Sequence, residues 1–123
     1  MSNTLCWTDI PVSNLDRAIE FYSAVLGTKV LKQSAGPDME FGLLPGFDSG
    51  VAGCLCKGEE HVPSHHGPLV YLSVDGRLDA AEQSVTAAKG KVLRPKHPIG
   101  PHGFRAIIED SEGNRIALHS QSA

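Results

Sequence analysis

The feature that most constrains this chain is that it repeats itself. Pro11 to Leu31, PVSNLDRAIEFYSAVLGTKVL, lies over Ser73 to Leu93, SVDGRLDAAEQSVTAAKGKVL. Val12 pairs with Val74 at an offset of 62, and Leu15, Asp16, Ala18, Ala24 and Gly27 pair with Leu78, Asp79, Ala81, Ala87 and Gly90 at 63, as though Arg77 were inserted. Lys29-Val30-Leu31 returns to 62 with Lys91-Val92-Leu93, and Phe41, Gly50 and Leu55 match Phe104, Gly113 and Leu118 at 63. One unit is therefore used twice within 123 residues. A half of this size cannot build a sufficient core alone. We expect residues 1–123 to form one domain of two modules, about 1–60 and 66–123.

Each half reads the same way. An alternating run, Leu5 to Val12 or Leu69 to Val74, predicts a half-buried strand. A helix follows, capped by Ser13 or Asn14 in the first half, with Leu15, Ala18, Ile19, Tyr22 and Leu26 on one face and Gly27 as its stop. The second helix spans about Leu78 to Lys89 before Gly90, with Leu78, Ala81, Val85 and Ala88 on its face. Three short strands then follow each helix. They are expected near Lys29–Gln33, Glu40–Leu44 and Val51–Cys56, and near Lys91–Arg94, Phe104–Glu109 and Arg115–His119. Many of the 13 glycines and 8 prolines lie in the turns between them, such as Pro45 to Gly50 and Pro98 to Gly103. The order is βαβββ twice, an α+β fold.

Composition narrows the partners. With 41% hydrophobic and 20% charged residues the chain has material for a core, and a net charge of -3 with 11 scattered basic residues supplies no stripe for a nucleic-acid backbone. The N-terminus lacks a signal-peptide pattern, and no run approaches the roughly 18 apolar residues of a membrane span. No membrane partner and a cytoplasmic location are expected. Three cysteines, Cys6, Cys54 and Cys56, are an odd set best read as reduced thiols.

The repeated βαβββ order, the helix segment VSNLDRAIEFYSAVLG with its Phe21-Tyr22 and Val25-Leu26-Gly27, and the closing DSEGNRIAL from Asp110 resemble the vicinal oxygen chelate superfamily. That superfamily includes glyoxalase I, bleomycin resistance proteins and extradiol dioxygenases. The resemblance implies a curved, eight-stranded mixed sheet around a cleft, helices outside, and chains that pair as homodimers. It also implies where a divalent metal would be held in members that use one: one ligand from the first strand and one from the last strand of each module. By position those slots fall on Trp7, Cys54, Leu69 and Ala117. Tryptophan, leucine and alanine side chains offer no ligand atom, and one thiol does not hold an ion by itself. A register slip of one residue moves each slot to the other face, where Cys6 or Thr8, Val70, and Ile116 or Leu118 are no better. No metal and no cofactor are expected at these slots.

Two other metal readings stay open. His61, His65 and His66 share the loop GEEHVPSHHGP between the modules, against which stands plain solvated surface. Cys56 and His119 lie two residues beyond a slot, so strand alternation turns them to the same face as Cys54 and Ala117, and Cys54, Cys56 and His119 make a soft-ion set. Against that stands ordinary thiol burial.

The expected cleft lining gathers Trp7, Asp9, Cys54, Cys56, Leu69, Tyr71, Ser73, Ala117 and His119, with Arg105 at its mouth beside the loop HPIGPHGFR. Rings with a few polar points suit a small organic ligand, and Arg105 suits a carboxylate or phosphate. Cys54 with His119 as its base is the one covalent arrangement available, against an inert buried thiol. The chain is thus expected to bind a small, partly hydrophobic or aromatic molecule without a metal. The alternative is a lyase, isomerase or dioxygenase resembling glyoxalase I, with an unconventional active site.

Overall fold

The computed structural model describes residues 4–48 and 50–123; Ser49, in the turn expected at 45–50, lies outside them. The first module runs β1 (Trp7–Pro11), α1 (Leu15–Leu26), β2 (Leu31–Ser34), β3 (Glu40–Leu43) and β4 (Ala52–Cys56). The second runs β5 (Val70–Ser73), α2 (Leu78–Ala87), β6 (Lys91–Pro98), β7 (Phe104–Glu109) and β8 (Arg115–Ser120). A short 3-10 turn, Gly100–His102, sits between β6 and β7. The doubled βαβββ order is as expected.

The eight strands form two four-stranded mixed sheets, ordered β1-β4-β3-β2 and β5-β8-β7-β6, instead of one hydrogen-bonded sheet of eight. In each, the module's first strand is parallel to its last, and the remaining pairs are antiparallel. The registers repeat as the sequence does: Asp9 faces Cys54 in one sheet and Tyr71 faces Ala117 in the other.

Both helices lie on one side of the sheets and bury the alternate strand residues that point toward them. Ile10, Val12, Val30, Leu44 and Leu55 from the first module join Val74, Ala106, Ile108, Ile116 and Leu118 from the second in one core. Helix α1 contributes Ala18, Phe21, Tyr22 and Val25, a face turned slightly from the expected one, with Leu15, Ile19 and Leu26 partly buried at its edges. Asn14 is its cap, accepting from the Arg17 backbone N–H at 3.0 Å, and Gly27 ends it in a left-handed conformation at φ 72°. Helix α2 stops before the expected glycine, because Lys89 takes the left-handed position at φ 77°. Gly90 serves a packing need instead: a Cβ there would lie 2.5 Å from the Phe21 ring and 2.6 Å from the Glu109 carbonyl oxygen.

Arg77, the residue by which the repeat slips, reaches back into the first module and donates from Nη1 to the Val25 carbonyl at 2.6 Å. That carbonyl belongs to the last turn of α1, where helical oxygens lack partners and a cation is favoured. The insertion thus fastens one module to the other.

Candidate functional site

Strand alternation leaves the sheet faces away from the helices open, and these faces carry the chemistry. On the first sheet Asp9 is the hub. Its Oδ1 accepts from the Trp7 indole N–H at 3.1 Å and from Cys54 Sγ at 3.3 Å, and Cys54 Sγ lies 3.0 Å from Cys56 Sγ. His61 brings Nε2 to 3.6 Å from Asp9 Oδ2. Burial opposes ionisation of Asp9, but hydrogen bonds from Cys54, Trp7, Cys56 and His61 outweigh it and hold the carboxyl below its usual range. Burial pushes both thiols up, and the Asp9 charge pushes the same way. Neither is an activated thiolate.

On the second sheet the hub is Arg105. Its Nη1 donates to the Tyr71 hydroxyl and its Nε to His97 Nε2 at 3.0 Å. His97 Nδ1 lies 2.9 Å from the Pro95 carbonyl, so that nitrogen carries the proton and leaves Nε2 as the acceptor for Arg105. The guanidinium also lies 6.0 Å from the centroid of the Tyr71 ring, within cation–π range. His119 donates from Nε2 to the His102 carbonyl at 2.7 Å and stands edge-on to Tyr71, with ring centroids 6.3 Å apart. Tyr71, Ile99, His102, Arg105 and His119 line an open hollow of about 510 Å³.

The expected lining is therefore divided within one chain. Trp7, Asp9, Cys54 and Cys56 gather on the first sheet, and Tyr71, Arg105 and His119 on the second. Among the described residues, no hydrogen bond, ion pair or ring contact joins the two groups. His119 stands apart from Cys54 and Cys56, so neither the Cys54, Cys56 and His119 ion set nor a Cys54–His119 nucleophile and base is assembled. Leu69 precedes β5 and Ala117 is fully buried beside Tyr71. The family's metal does not fit here: the Trp7 N–H is spent on Asp9, and Leu69 and Ala117 are hydrocarbon. The loop histidines do not cluster either. His61 turns to Asp9, His65 Nε2 lies 3.8 Å from Glu109, and His66 is tied to Ser64 only through its backbone N–H and carbonyl.

Sequence reasoning missed two partnerships, His61 with Asp9 and His97 with Arg105. Spacing carries no signal for the first, a loop folding onto a strand. The second follows from cross-strand register, which pairs His97 with Arg105 once β6 extends to Pro98. A larger concavity of about 620 Å³ lies elsewhere, between Ser13, Asp16, Lys32, Asp38, Glu40 and Lys57. Its charges partly neutralise each other, with Lys32 2.9 Å from Asp16, and it lacks the apolar lining of a small-molecule site.

The two-module fold and these open faces define a class, and comparison with known proteins names it. Residues 4–118 match the family model of the Glyoxalase/Bleomycin resistance protein/Dioxygenase superfamily. The chain belongs to that superfamily. A lactoylglutathione lyase of Salmonella typhimurium is 30% identical over 122 residues, covering 93% of this chain and 90% of the relative. A provisionally named glyoxylase of Mycobacterium bovis is 30% identical over 112 residues, 91% of this chain, but the chain spans only 42% of that relative's length. In three dimensions the chain resembles a glyoxalase/bleomycin resistance protein from Albidiferax ferrireducens, with a TM-score of 0.72 at 16% identity, covering 96% of this chain and 98% of that one. That likeness concerns the fold. No helix among the described residues is long and apolar enough to cross a membrane.

Proposed function

We propose that this chain binds a small, partly hydrophobic or aromatic molecule on the open sheet faces, without the four-ligand metal that other members of the superfamily chelate there. The observation that carries the reading is the Tyr71–Arg105–His119 hollow. A half-exposed ring lies beside a guanidinium that is held in place through Nε and Nη1, leaving Nη2 to take a carboxylate or phosphate. Trp7, 45% exposed on the other sheet, supplies a second stacking surface. Pairing of two copies as a homodimer brings a second set of open faces to the site and shields these rings from water. A cytoplasmic setting keeps the thiols reduced.

The test is a panel of aromatic carboxylates and their neutral amides, scored by the shift in melting temperature of metal-free protein. Carboxylates are expected to raise it, amides to raise it less, and Arg105→Ala to remove the difference. Equal shifts for acids and amides, or no shift at all, overturn the reading.

The relatives named lactoylglutathione lyase favour a second reading, an enzyme of the lyase, isomerase or dioxygenase type. It requires turnover of 2-oxo-aldehydes with a thiol cofactor, or of catechols, and absence of turnover across such a panel excludes it.

A further inference from the structure

Asp9, Cys54 and Cys56 present a carboxylate oxygen and two sulfurs that all lie within 4.8 Å of one another, the only such group of three among the described residues. Of the three only Cys54 falls in one of the four family slots; Asp9 and Cys56 do not, and the donors sit on two strands of one module. Asp9 and Cys56 are one open-face position beyond Trp7 and Cys54, and paired β1 and β4 hold Asp9 directly opposite Cys54. We infer that these three side chains form a binding site for a thiophilic divalent cation of the zinc and cadmium class, independent of the ligand hollow on the second sheet.

The distances carry the inference. Two sulfurs each about 2.3 Å from a tetrahedral zinc are about 3.8 Å apart, and a sulfur and a carboxylate oxygen about 3.6 Å apart. Here the sulfurs are 3.0 Å apart and the Cys54 Sγ to Asp9 Oδ1 distance is 3.3 Å. Side-chain rotations that open these gaps by less than 1 Å admit the ion, with no change in strand register. Access exists, since the Asp9 side chain is 49% exposed while Cys54 is only 6% exposed. His61, on the loop after β4, brings Nε2 to 3.6 Å from Asp9 Oδ2 beside this group. Two sulfurs select against magnesium and calcium, which prefer oxygen. The exchange balances as one divalent ion taken up for two thiol protons released, with Asp9 already ionised.

The experiment titrates the reduced chain, stripped with a chelator, with zinc chloride and separately with cadmium chloride. Expected are one equivalent bound, release of two protons per ion, and a thiolate-to-cadmium charge-transfer band in the ultraviolet. Cys56→Ser should abolish the band, Asp9→Asn should weaken binding by more than the roughly tenfold that loss of a mere outer-shell partner costs, and His65→Ala with His66→Ala should change neither. Should Cys56→Ser fail to fold, alkylation of the unmodified chain decides: the ion protects Cys54 and Cys56 and leaves the exposed Cys6 reactive. Binding without the band, binding that survives Cys56→Ser, or alkylation of all three thiols unchanged by the ion overturns the inference. The ligand panel uses metal-free protein and reads Arg105, so either proposal can fail without the other.

Discussion

Tyr22 of α1 donates its hydroxyl to the Asp110 carboxylate, joining the helix of the first module to the β7–β8 turn of the second through a fully buried contact. These are the two segments by which the sequence resembles its family, and in space they are partners. Asp110 also accepts from the Asn114 backbone and side chain, both at 2.9 Å, and Asn114 donates to the Pro11 carbonyl at 2.7 Å. Burial, then the nearby Asp110 charge and its hydrogen bond, push the phenol well above its usual range, so it remains a donor at all working pH. Tyr22→Phe keeps the ring and its edge-on contact with Phe21 but strips one donor from a buried carboxylate. It should cost about 1–3 kcal/mol, measured by urea denaturation. An unchanged midpoint would show that Asn114 and the Glu112 backbone N–H, which donates to Asp110 Oδ1 at 2.8 Å, satisfy Asp110 without the phenol.

Acid should loosen the same junction from its other side. Burial raises the Glu112 carboxyl, but Arg17, the Asn14 and Ser13 backbone N–H groups and Ser111 outweigh it and hold it at about 2 against an ordinary 4.5. Its side chain is fully covered, with Arg17 Nε at 2.7 Å. The folded value lies below the unfolded one, so this stabilisation is complete above about pH 4.5 and falls away between there and pH 2. The full displacement corresponds to about 3.4 kcal/mol, which solvent screening lowers to the order of 2–3 kcal/mol. Glu112→Gln should flatten stability over that acid range while lowering it at neutral pH, as followed by thermal melts from pH 2.5 to 7.

Much of this fold was legible because repetition doubles every signal. A weak alanine-rich helix at Leu78 becomes readable once it lies over a strong one at Leu15. The strand edges were less clear: β6 runs on to Pro98 because its later residues pair with β7 across register shifts, and such irregular pairing leaves no periodicity. The site was legible as a list and not as an arrangement. Alternation correctly turns Asp9, Cys54 and Cys56 to one face, but it says nothing of which sheets meet, and so it placed His119 beside cysteines it does not touch.

The thiols should separate by reactivity. Cys6 is exposed, whereas burial first raises Cys54 and Cys56 above the ordinary thiol value, the neighbouring Cys54 raises Cys56 further, and Asp9 pushes both the same way. Only the thiolate attacks an alkylating reagent. In the metal-free chain at pH 8, iodoacetamide should therefore modify one cysteine quickly and two slowly, and mass spectrometry of timed samples should place the fast label on Cys6. Asp9→Asn removes the negative charge beside the pair and should speed the slow labels. A fast label on Cys54 in the unmodified chain would contradict the geometry.

Arg77 tests whether the break in the repeat is a scar or a fastening. Its guanidinium packs against Gly27 so closely that a Cβ there would lie 2.9 Å from Arg77 Cζ, and its Nη1 bond to Val25 links the start of α2 to the end of α1. Arg77→Ala leaves the Val25 carbonyl to water and opens space beside the left-handed turn, a loss of about 1.5–3 kcal/mol for a bond from a charged donor. Arg77→Lys keeps the charge near the C-terminus of α1 but reaches it with a single ammonium, so it should recover part of that loss through the helix dipole. Gly27→Ala should fail in a different way, through strain at φ 72° as well as collision, and combining it with Arg77→Ala should relieve only the collision. Chemical denaturation of the three single variants and the double variant measures this directly, and a full loss that simply adds between Gly27 and Arg77 would mean the two residues do not share the contact.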